Sequence, residues 1–280
     1  MKIQFERIET NGIGLHTALA GPEEGEPVLL LHGYPDAWFG WEPQINSLAE
    51  AGFRVIAPDQ RGYNLSDKPK GIASYQMRSL VGDILGLADM LGYERFNLAG
   101  HDFGAMVSWH LAMGLPVRLK RLVIANVPHP AVMRDYLRSH PSQMLKSWYV
   151  FFFQLPRLPE RILRAKNWHI LISAMPDDLS EAEQNRYREA WGQAGAMTAM
   201  LNWYRNMMRS SPKSTLSLAI SVPTLILWGK QDPHISYEMT PLSADLCEEC
   251  RLVMFEDATH WVMHDKPKEV SQEMIEHFSV

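Results

Sequence analysis

Asp102 lies where a predicted strand ends and a predicted helix begins. The segment 98–105 reads LAGHDFGA, with small residues two positions before and two positions after the aspartate. This pattern is typical of a nucleophile elbow, a sharp strained turn that lifts one side chain above a sheet. Serine is the usual residue at that point, and here it is an aspartate. The alternative role for Asp102 is an N-cap of the following helix.

Two further candidate residues follow in the C-terminal part of the chain. Asp232 comes in the loop after the last but one predicted strand, and His260 in the loop after the last strand. The order nucleophile, acid, histidine is that of an α/β-hydrolase triad. Asn126, at the end of the preceding strand, is not acidic. We therefore expect Asp232 to be the partner of His260.

A second signature, the tetrapeptide HGYP at 32–35, directly follows a buried strand. In folds with a nucleophile elbow, this loop supplies one N–H of the oxyanion hole, and the residue after the nucleophile supplies the other. We expect these donors to be the backbone N–H groups of Tyr34 and Phe103. An ordinary tight turn is the alternative interpretation.

A carboxylate at the elbow determines the chemistry. Asp102 is ionised at pH 7, whereas a serine needs its proton removed. It can attack a saturated carbon and displace an oxygen or a halide, which leaves an alkyl ester of the enzyme. His260 can then activate the water that attacks the carboxyl carbon of that ester. The candidate reactions are therefore epoxide opening and carbon–halogen cleavage.

The chain resembles a soluble-type epoxide hydrolase of the α/β-hydrolase superfamily. Six segments carry the resemblance nearly end to end: HGYP at 32–35, DQRGYNLS at 59–66, GHDFG at 100–104, NVPHP at 126–130, WGKQD at 228–232 and ATH at 258–260. One departure is Phe103, where the family most often has tryptophan. The backbone N–H survives this change, so we expect a reshaped pocket wall.

The resemblance implies two tyrosines that protonate the opening epoxide. The motif WYRN places one of them at Tyr204, and the aromatic segment WYVFFFQ places the other at Tyr149. A tyrosine has a pKa of about 10 and can donate at pH 7. Core packing is the alternative for Tyr149. Three aromatic neighbours are the expected substrate-binding residues: Trp203, Phe153 and Trp261.

Two other functions stay open. Haloalkane dehalogenases bind halide with a tryptophan after the nucleophile and often an asparagine in the His-Gly loop, where this chain has Phe103 and Tyr34. Fluoroacetate dehalogenases carry arginines just after the nucleophile, where Ala105 and Met106 follow here. The chain therefore lacks residues that each class of dehalogenase uses to bind its halide or its substrate. A non-catalytic binding protein on this fold is the second alternative.

The elements that position these residues alternate along the chain. Strands are predicted at 3–9, 13–20, 28–31, 53–57, 96–99, 122–125, 225–228 and 252–255, and helices at 38–51, 75–91, 103–115 and 267–279. The alternation predicts an α/β-hydrolase fold, a mostly parallel sheet with helices on both faces. Between Pro128 and about Leu216 there is no strand-like run. We expect a core of residues 1–128 and 217–280 with an inserted helical cap of residues 129–216.

Composition excludes several other classes of protein. The chain has 280 residues, 46% of them hydrophobic, and a net charge of −5, which argues against a nucleic-acid binder. The sequence has two cysteines, Cys247 and Cys250, and no zinc spacing surrounds them. There is neither an apolar signal segment nor a membrane-length apolar run. We expect a cytoplasmic enzyme that takes a small apolar epoxide, without cofactor or metal, and leave the oligomeric state open.

Overall fold

The computed structural model describes residues 2–209 and 217–280. The strands in this part of the chain are β1 Gln4–Thr10, β2 Ile13–Ala20, β3 Pro27–Leu31, β4 Arg54–Pro58, β5 Phe96–His101, β6 Leu119–Ala125, β7 Thr224–Gly229 and β8 Cys250–Phe255. They form one eight-stranded sheet in the order β1-β2-β4-β3-β5-β6-β7-β8. The pairs β1·β2 and β2·β4 are antiparallel, and the others are parallel. The predicted mostly parallel sheet is confirmed.

The central strands are apolar because helices cover both faces of the sheet. Every residue of β3, β5 and β7 is buried, which is the pattern expected of parallel strands inside an α/β layer. The first hairpin turns at Asn11 and Gly12, whose φ angles are 47° and 77°. Two successive positive φ angles are those of a type I′ turn, the turn that Asn-Gly favours.

Helices connect the strands and fill the segment between β6 and β7. Before β6 come α1 Glu42–Glu50, α2 Met77–Met90 and α3 Phe103–Gly114. Between β6 and β7 come α4 Pro130–Ser139, α5 Pro141–Lys146, α6 Trp148–Phe152, α7 Leu158–Ile172, α8 Glu181–Gly192 and α9 Ala196–Arg209. After β7 come α10 Met239–Ala244, α11 Val262–Asp265 and α12 Pro267–Phe278. The predicted helical insertion is thus confirmed, although its boundary at residue 216 lies outside the described residues.

The helix predicted at 38–51 is only partly an α-helix. Its first four residues, Trp38–Trp41, form a tighter 3-10 turn, and the α-helix starts at Glu42 with Pro43 in its first turn. Proline suits this position because its missing N–H would have no partner there. The short helices α10 and α11 were not predicted, since four to six residues are too few to show a helical period.

The inserted helices are joined to the loop that follows β3. The Trp191 indole N–H in α8 donates to the carbonyl of Pro35 over 2.5 Å, and the Tyr187 hydroxyl donates to Asp36 Oδ1 over 2.9 Å. In α9 the Trp203 indole N–H donates to a core carbonyl over 2.9 Å. These bonds hold the insertion against the carboxyl ends of the parallel strands.

Within the described residues, no helix combines the length and apolar character needed to cross a bilayer.

Candidate active site

Asp102 occupies a strained turn between β5 and α3. Its backbone has φ 50° and ψ −121°, a conformation that non-glycine residues rarely adopt. The flanking glycines allow close packing, because a Cβ on Gly100 would overlap the carbonyl of Gly104, and a Cβ on Gly104 would overlap that of Leu31. The Asp102 side chain makes no N-cap hydrogen bond to α3, so the alternative role of Asp102 as a helix N-cap is wrong.

Three side chains from separate strand ends meet at this turn. His260 Nδ1 lies 2.7 Å from Asp232 Oδ2, and His260 Nε2 lies 3.6 Å from Asp102 Oδ2. The contact with Asp232 is short enough for a hydrogen bond, whereas the contact with Asp102 has the length of an ion pair. Asp232 is also held by the backbone N–H groups of His234 and Ile235, which donate to its Oδ1 over 2.7 and 2.9 Å. The imidazole therefore bridges the two carboxylates.

The charges of the three groups depend on one another. Burial alone would lower the pKa of His260, but the carboxylates of Asp232 and Asp102 raise it to about 10. Burial would raise the pKa of Asp232, but His260 and the hydrogen bonds to its oxygens lower it to about 2. An imidazolium between two carboxylates is thus the state at neutral pH.

Asn126, the first residue of the NVPHP segment, belongs to the candidate site although the sequence alone assigned it no role there. Its Nδ2 donates to Asp232 Oδ2 over 2.9 Å and to the Thr259 carbonyl over 3.3 Å, and its Oδ1 accepts from the Gly229 N–H over 3.0 Å. The residue has a φ of 52°, which asparagine tolerates better than most residues. It joins the end of β6 to the two loops that carry Asp232 and His260.

The expected oxyanion-hole residues belong to two different segments, since Tyr34 follows β3 and Phe103 begins α3. The Tyr34 N–H donates to Asp102 Oδ1 over 2.7 Å. Phe103 is the first residue of α3, and the first N–H groups of a helix have no acceptor within the helix. The Tyr34 N–H therefore binds an oxygen of the Asp102 carboxyl group, and the Phe103 N–H has no acceptor within α3.

The two predicted tyrosines come together on the inserted helices. The ring centroids of Tyr149 in α6 and Tyr204 in α9 are 6.0 Å apart, and Tyr204 packs 4.6 Å from Phe103 and 5.2 Å from Tyr34. Burial raises the pKa of both phenols, and the carboxylate of Asp102 raises it further. Neither hydroxyl has a hydrogen-bond partner in residues 2–209 and 217–280. Two protonated phenols therefore lie within the electrostatic influence of Asp102.

The three predicted substrate-binding aromatics have different surroundings. The ring of Phe153 packs 5.0 Å from that of Tyr204. Together with Tyr149, these two residues form an aromatic wall of the candidate site. Trp203 is almost fully buried, and its indole N–H donates a hydrogen bond to the carbonyl of Arg61. Trp261 packs 5.6 Å from His260 and donates its N–H to a carbonyl of the insertion. Trp203 and Trp261 thus also join the insertion to the core.

The described residues contain no group of three or more His, Cys, Asp or Glu side chains placed to hold a metal ion. Cys247 and Cys250 are both free thiols. Cys250 begins β8 at the end of the sheet opposite to the triad. These thiols therefore belong to another part of the molecule.

Comparisons with known proteins identify the family to which the chain belongs. The family model for the alpha/beta hydrolase fold matches residues 26–267. The AB hydrolase superfamily protein YfhM of Bacillus subtilis is 44% identical, covering 99% of this chain and 98% of its own, and Epoxide hydrolase A of Mycobacterium tuberculosis is 32% identical, covering 96% and 95%. A mutant epoxide hydrolase of Bacillus megaterium, solved with its product (R)-3-[1]naphthyloxy-propane-1,2-diol, superimposes with a TM-score of 0.90 at 30% identity, covering 99% of this chain and 100% of its own. The chain belongs to the α/β-hydrolase family and closely resembles its epoxide hydrolases.

Proposed function

We propose that this chain is an epoxide hydrolase that forms a vicinal diol through a covalent ester on Asp102. One observation carries the proposal: a carboxylate nucleophile lies between His260 and a backbone N–H, with two protonated tyrosines nearby. A carboxylate suits attack on a saturated carbon, and protonated phenols suit a leaving alkoxide. The names of the relatives point in the same direction.

The first step is attack of Asp102 on the epoxide. Oδ1 is held by the Tyr34 N–H, so Oδ2 is the oxygen available for attack. As the new C–O bond forms, the epoxide C–O bond breaks and its electron pair stays on the epoxide oxygen. Tyr149 or Tyr204 transfers a proton to that oxygen, and the resulting phenolate is stabilised by its neighbouring phenol.

The second step is hydrolysis of the ester. Alkylation removes the charge of Asp102, one of the two carboxylates that raise the pKa of His260. His260 then gives up its proton more readily, and that proton goes to the phenolate left by ring opening, which leaves both His260 and the tyrosine neutral. Neutral His260, oriented by Asp232, takes a proton from water as the water attacks the carboxyl carbon. Negative charge develops on Oδ1, beside the N–H groups of Tyr34 and Phe103. The bond between the carboxyl carbon and Oδ2 then breaks, Oδ2 leaves with the diol and takes the proton held by His260, and the water oxygen stays in the Asp102 carboxyl group.

The core and the cap have different roles in these two steps. Residues 1–128 and 217–280 form the core that carries the nucleophile, the base and the oxyanion hole. Residues 129–216 form the cap that carries both tyrosines. All the groups required by the two steps are protein side chains, backbone N–H groups and water, so the proposed reaction uses neither a cofactor nor a metal.

The test is turnover of a panel of epoxides, comprising styrene oxide, phenyl glycidyl ether and fatty-acid epoxides, with diol measured as product. Halide release from simple haloalkanes and fluoroacetate is measured in parallel. Diol without halide supports the proposal. Halide release without diol would indicate a dehalogenase. Failure to turn over either class would favour the non-catalytic binding protein.

A further inference from the structure

His234 is a second histidine inside the candidate site, next to His260. It follows Asp232 by two residues, and its ring centroid is 5.4 Å from that of His260 and 5.7 Å from that of Tyr149. The ring planes are nearly perpendicular in both pairs, at 86° and 78°. The imidazole thus stands between the base and one of the two acid donors.

The backbone around His234 is held from both sides. Its N–H donates to Asp232 Oδ1 over 2.7 Å, and its carbonyl accepts from Gln143 Nε2 over 2.7 Å. The other end of the Gln143 amide accepts from the Ser236 N–H over 3.0 Å. Gln143 is fully buried in α5 of the insertion. Because the loop is bonded both to Asp232 and to the insertion, the backbone that carries the His234 side chain is fixed before any ligand arrives.

The ring of His234 is the unusual feature of this wall. Across residues 2–209 and 217–280, neither of its nitrogens makes a hydrogen bond, whereas both nitrogens of His260 face carboxylates. Burial lowers the pKa of His234, and the charge of His260 lowers it further. A neutral imidazole offers one donor and one acceptor. The aromatic wall beside it, formed by Tyr149, Phe153 and Tyr204, leaves this polar group without a partner.

We propose that His234 is a specificity-determining residue that hydrogen-bonds an oxygen atom carried by the substrate next to the epoxide ring. The favoured substrates are then epoxides with an ether, hydroxyl or carbonyl oxygen on the adjoining carbon. A hydrocarbon epoxide would displace water from the imidazole of His234 and offer no hydrogen bond in return. Binding such a substrate would leave the imidazole without a partner, which costs free energy. This inference rests on the proposed epoxide hydrolase function.

The test compares two substrates of nearly equal shape, phenyl glycidyl ether and 4-phenyl-1,2-epoxybutane, which differ by one ether oxygen replaced with CH₂. We expect kcat/KM to favour the ether. In His234→Leu, which removes both ring nitrogens, the ratio of the two kcat/KM values should fall about tenfold, the usual effect of one hydrogen bond. His234→Gln keeps a donor and an acceptor and should restore much of the ratio. His110→Leu is the control, because this partly buried histidine bonds its own helix at the Met106 carbonyl and should leave the ratio unchanged.

The outcomes separate the inference from the proposal on which it rests. A lower ratio in His234→Leu with recovery in His234→Gln supports the inference. An unchanged ratio in His234→Leu overturns it, even if both kcat/KM values fall, because a merely structural role affects the two substrates alike. If the unsubstituted protein hydrolyses neither epoxide nor any other in the panel, the proposed function fails, and this inference falls with it.

Discussion

Oδ1 of Asp102 accepts a 2.7 Å hydrogen bond from the backbone N–H of Tyr34. This contact distinguishes the two oxygens of the carboxylate, because Oδ2 faces His260 instead. In the proposed reaction, the oxygen that attacks the substrate and the oxygen that later carries the negative charge are therefore different atoms. A single turnover in H₂¹⁸O should place ¹⁸O in the Asp102 carboxyl group, whereas the diol receives its new oxygen from the enzyme.

Asp102→Asn should abolish turnover while the protein stays folded. An amide is too weak a nucleophile to form the ester, and its volume is almost that of the carboxylate. Diol formation and circular dichroism are measured on a freshly prepared sample. Undiminished activity at once would contradict the role of Asp102. Slow recovery on standing would not, since the amide can deamidate to aspartate.

His260→Gln should block hydrolysis of the ester but allow alkylation of Asp102. The histidine is required as a base only when water attacks. Intact-mass measurement after mixing with an epoxide should show one covalent adduct of substrate mass. Asp102→Asn is the matched control and should show none. Normal multiple turnover by His260→Gln would refute the assignment.

Tyr204→Phe should slow alkylation by a factor of about 10²–10³, by analogy with the loss of one oxyanion-hole donor. Ester hydrolysis should be less affected, because the tyrosines act on the epoxide oxygen. Tyr149 can partly compensate, so Tyr149→Phe/Tyr204→Phe should be far slower than either single variant. Pre-steady-state kinetics measures both steps. Epoxide opening at the original rate in the double variant would return the dehalogenase to consideration, since a leaving halide needs no proton.

His260 should remain an imidazolium up to a pH near 10. Its raised pKa means that its contribution to stability is complete below the ordinary pKa of about 6.5 and is lost as the pH rises through about 10. NMR titration of the imidazole should show no deprotonation between about pH 6 and 9. In Asp102→Asn the pKa should fall, because one of the two carboxylates is lost. A titration near pH 6.5 in the unsubstituted protein would contradict the charged bridge.

Asn126→Gly should lower both stability and the rate of ester hydrolysis. Glycine accepts the positive φ, so the change isolates the loss of the side-chain hydrogen bonds to Asp232 and Gly229. The free energy of unfolding should drop by about 1–3 kcal/mol, measured by urea denaturation. Asn64→Gly is the control: Asn64 also has a positive φ, of 37°, and bonds Asp59 away from the triad. It should lose stability without a specific loss of hydrolysis.

Local patterns in the sequence determined the class of fold and the candidate nucleophile. Buried parallel strands are short apolar runs, helices have their own period, and the turn around Asp102 needs small residues at fixed offsets, so each is visible within a few positions. The departures from prediction occur where the local signal is weakest, as in the 3-10 turn Trp38–Trp41 and the short helices α10 and α11.

Tertiary structure alone decided which distant side chains meet. Asn126 and Asp232 are 106 positions apart, and they bond because β6 and β7 are neighbours in the sheet with a whole helical insertion between them in the chain. The contact of His234 with Tyr149 depends likewise on how the insertion packs over the strand ends. No local period encodes such contacts, because they result from strand order and helix packing. The sequence therefore indicates Asp102, Asp232 and His260 as candidate site residues, whereas the contacts of Asn126 with Asp232 and of His234 with His260 are visible only in the fold.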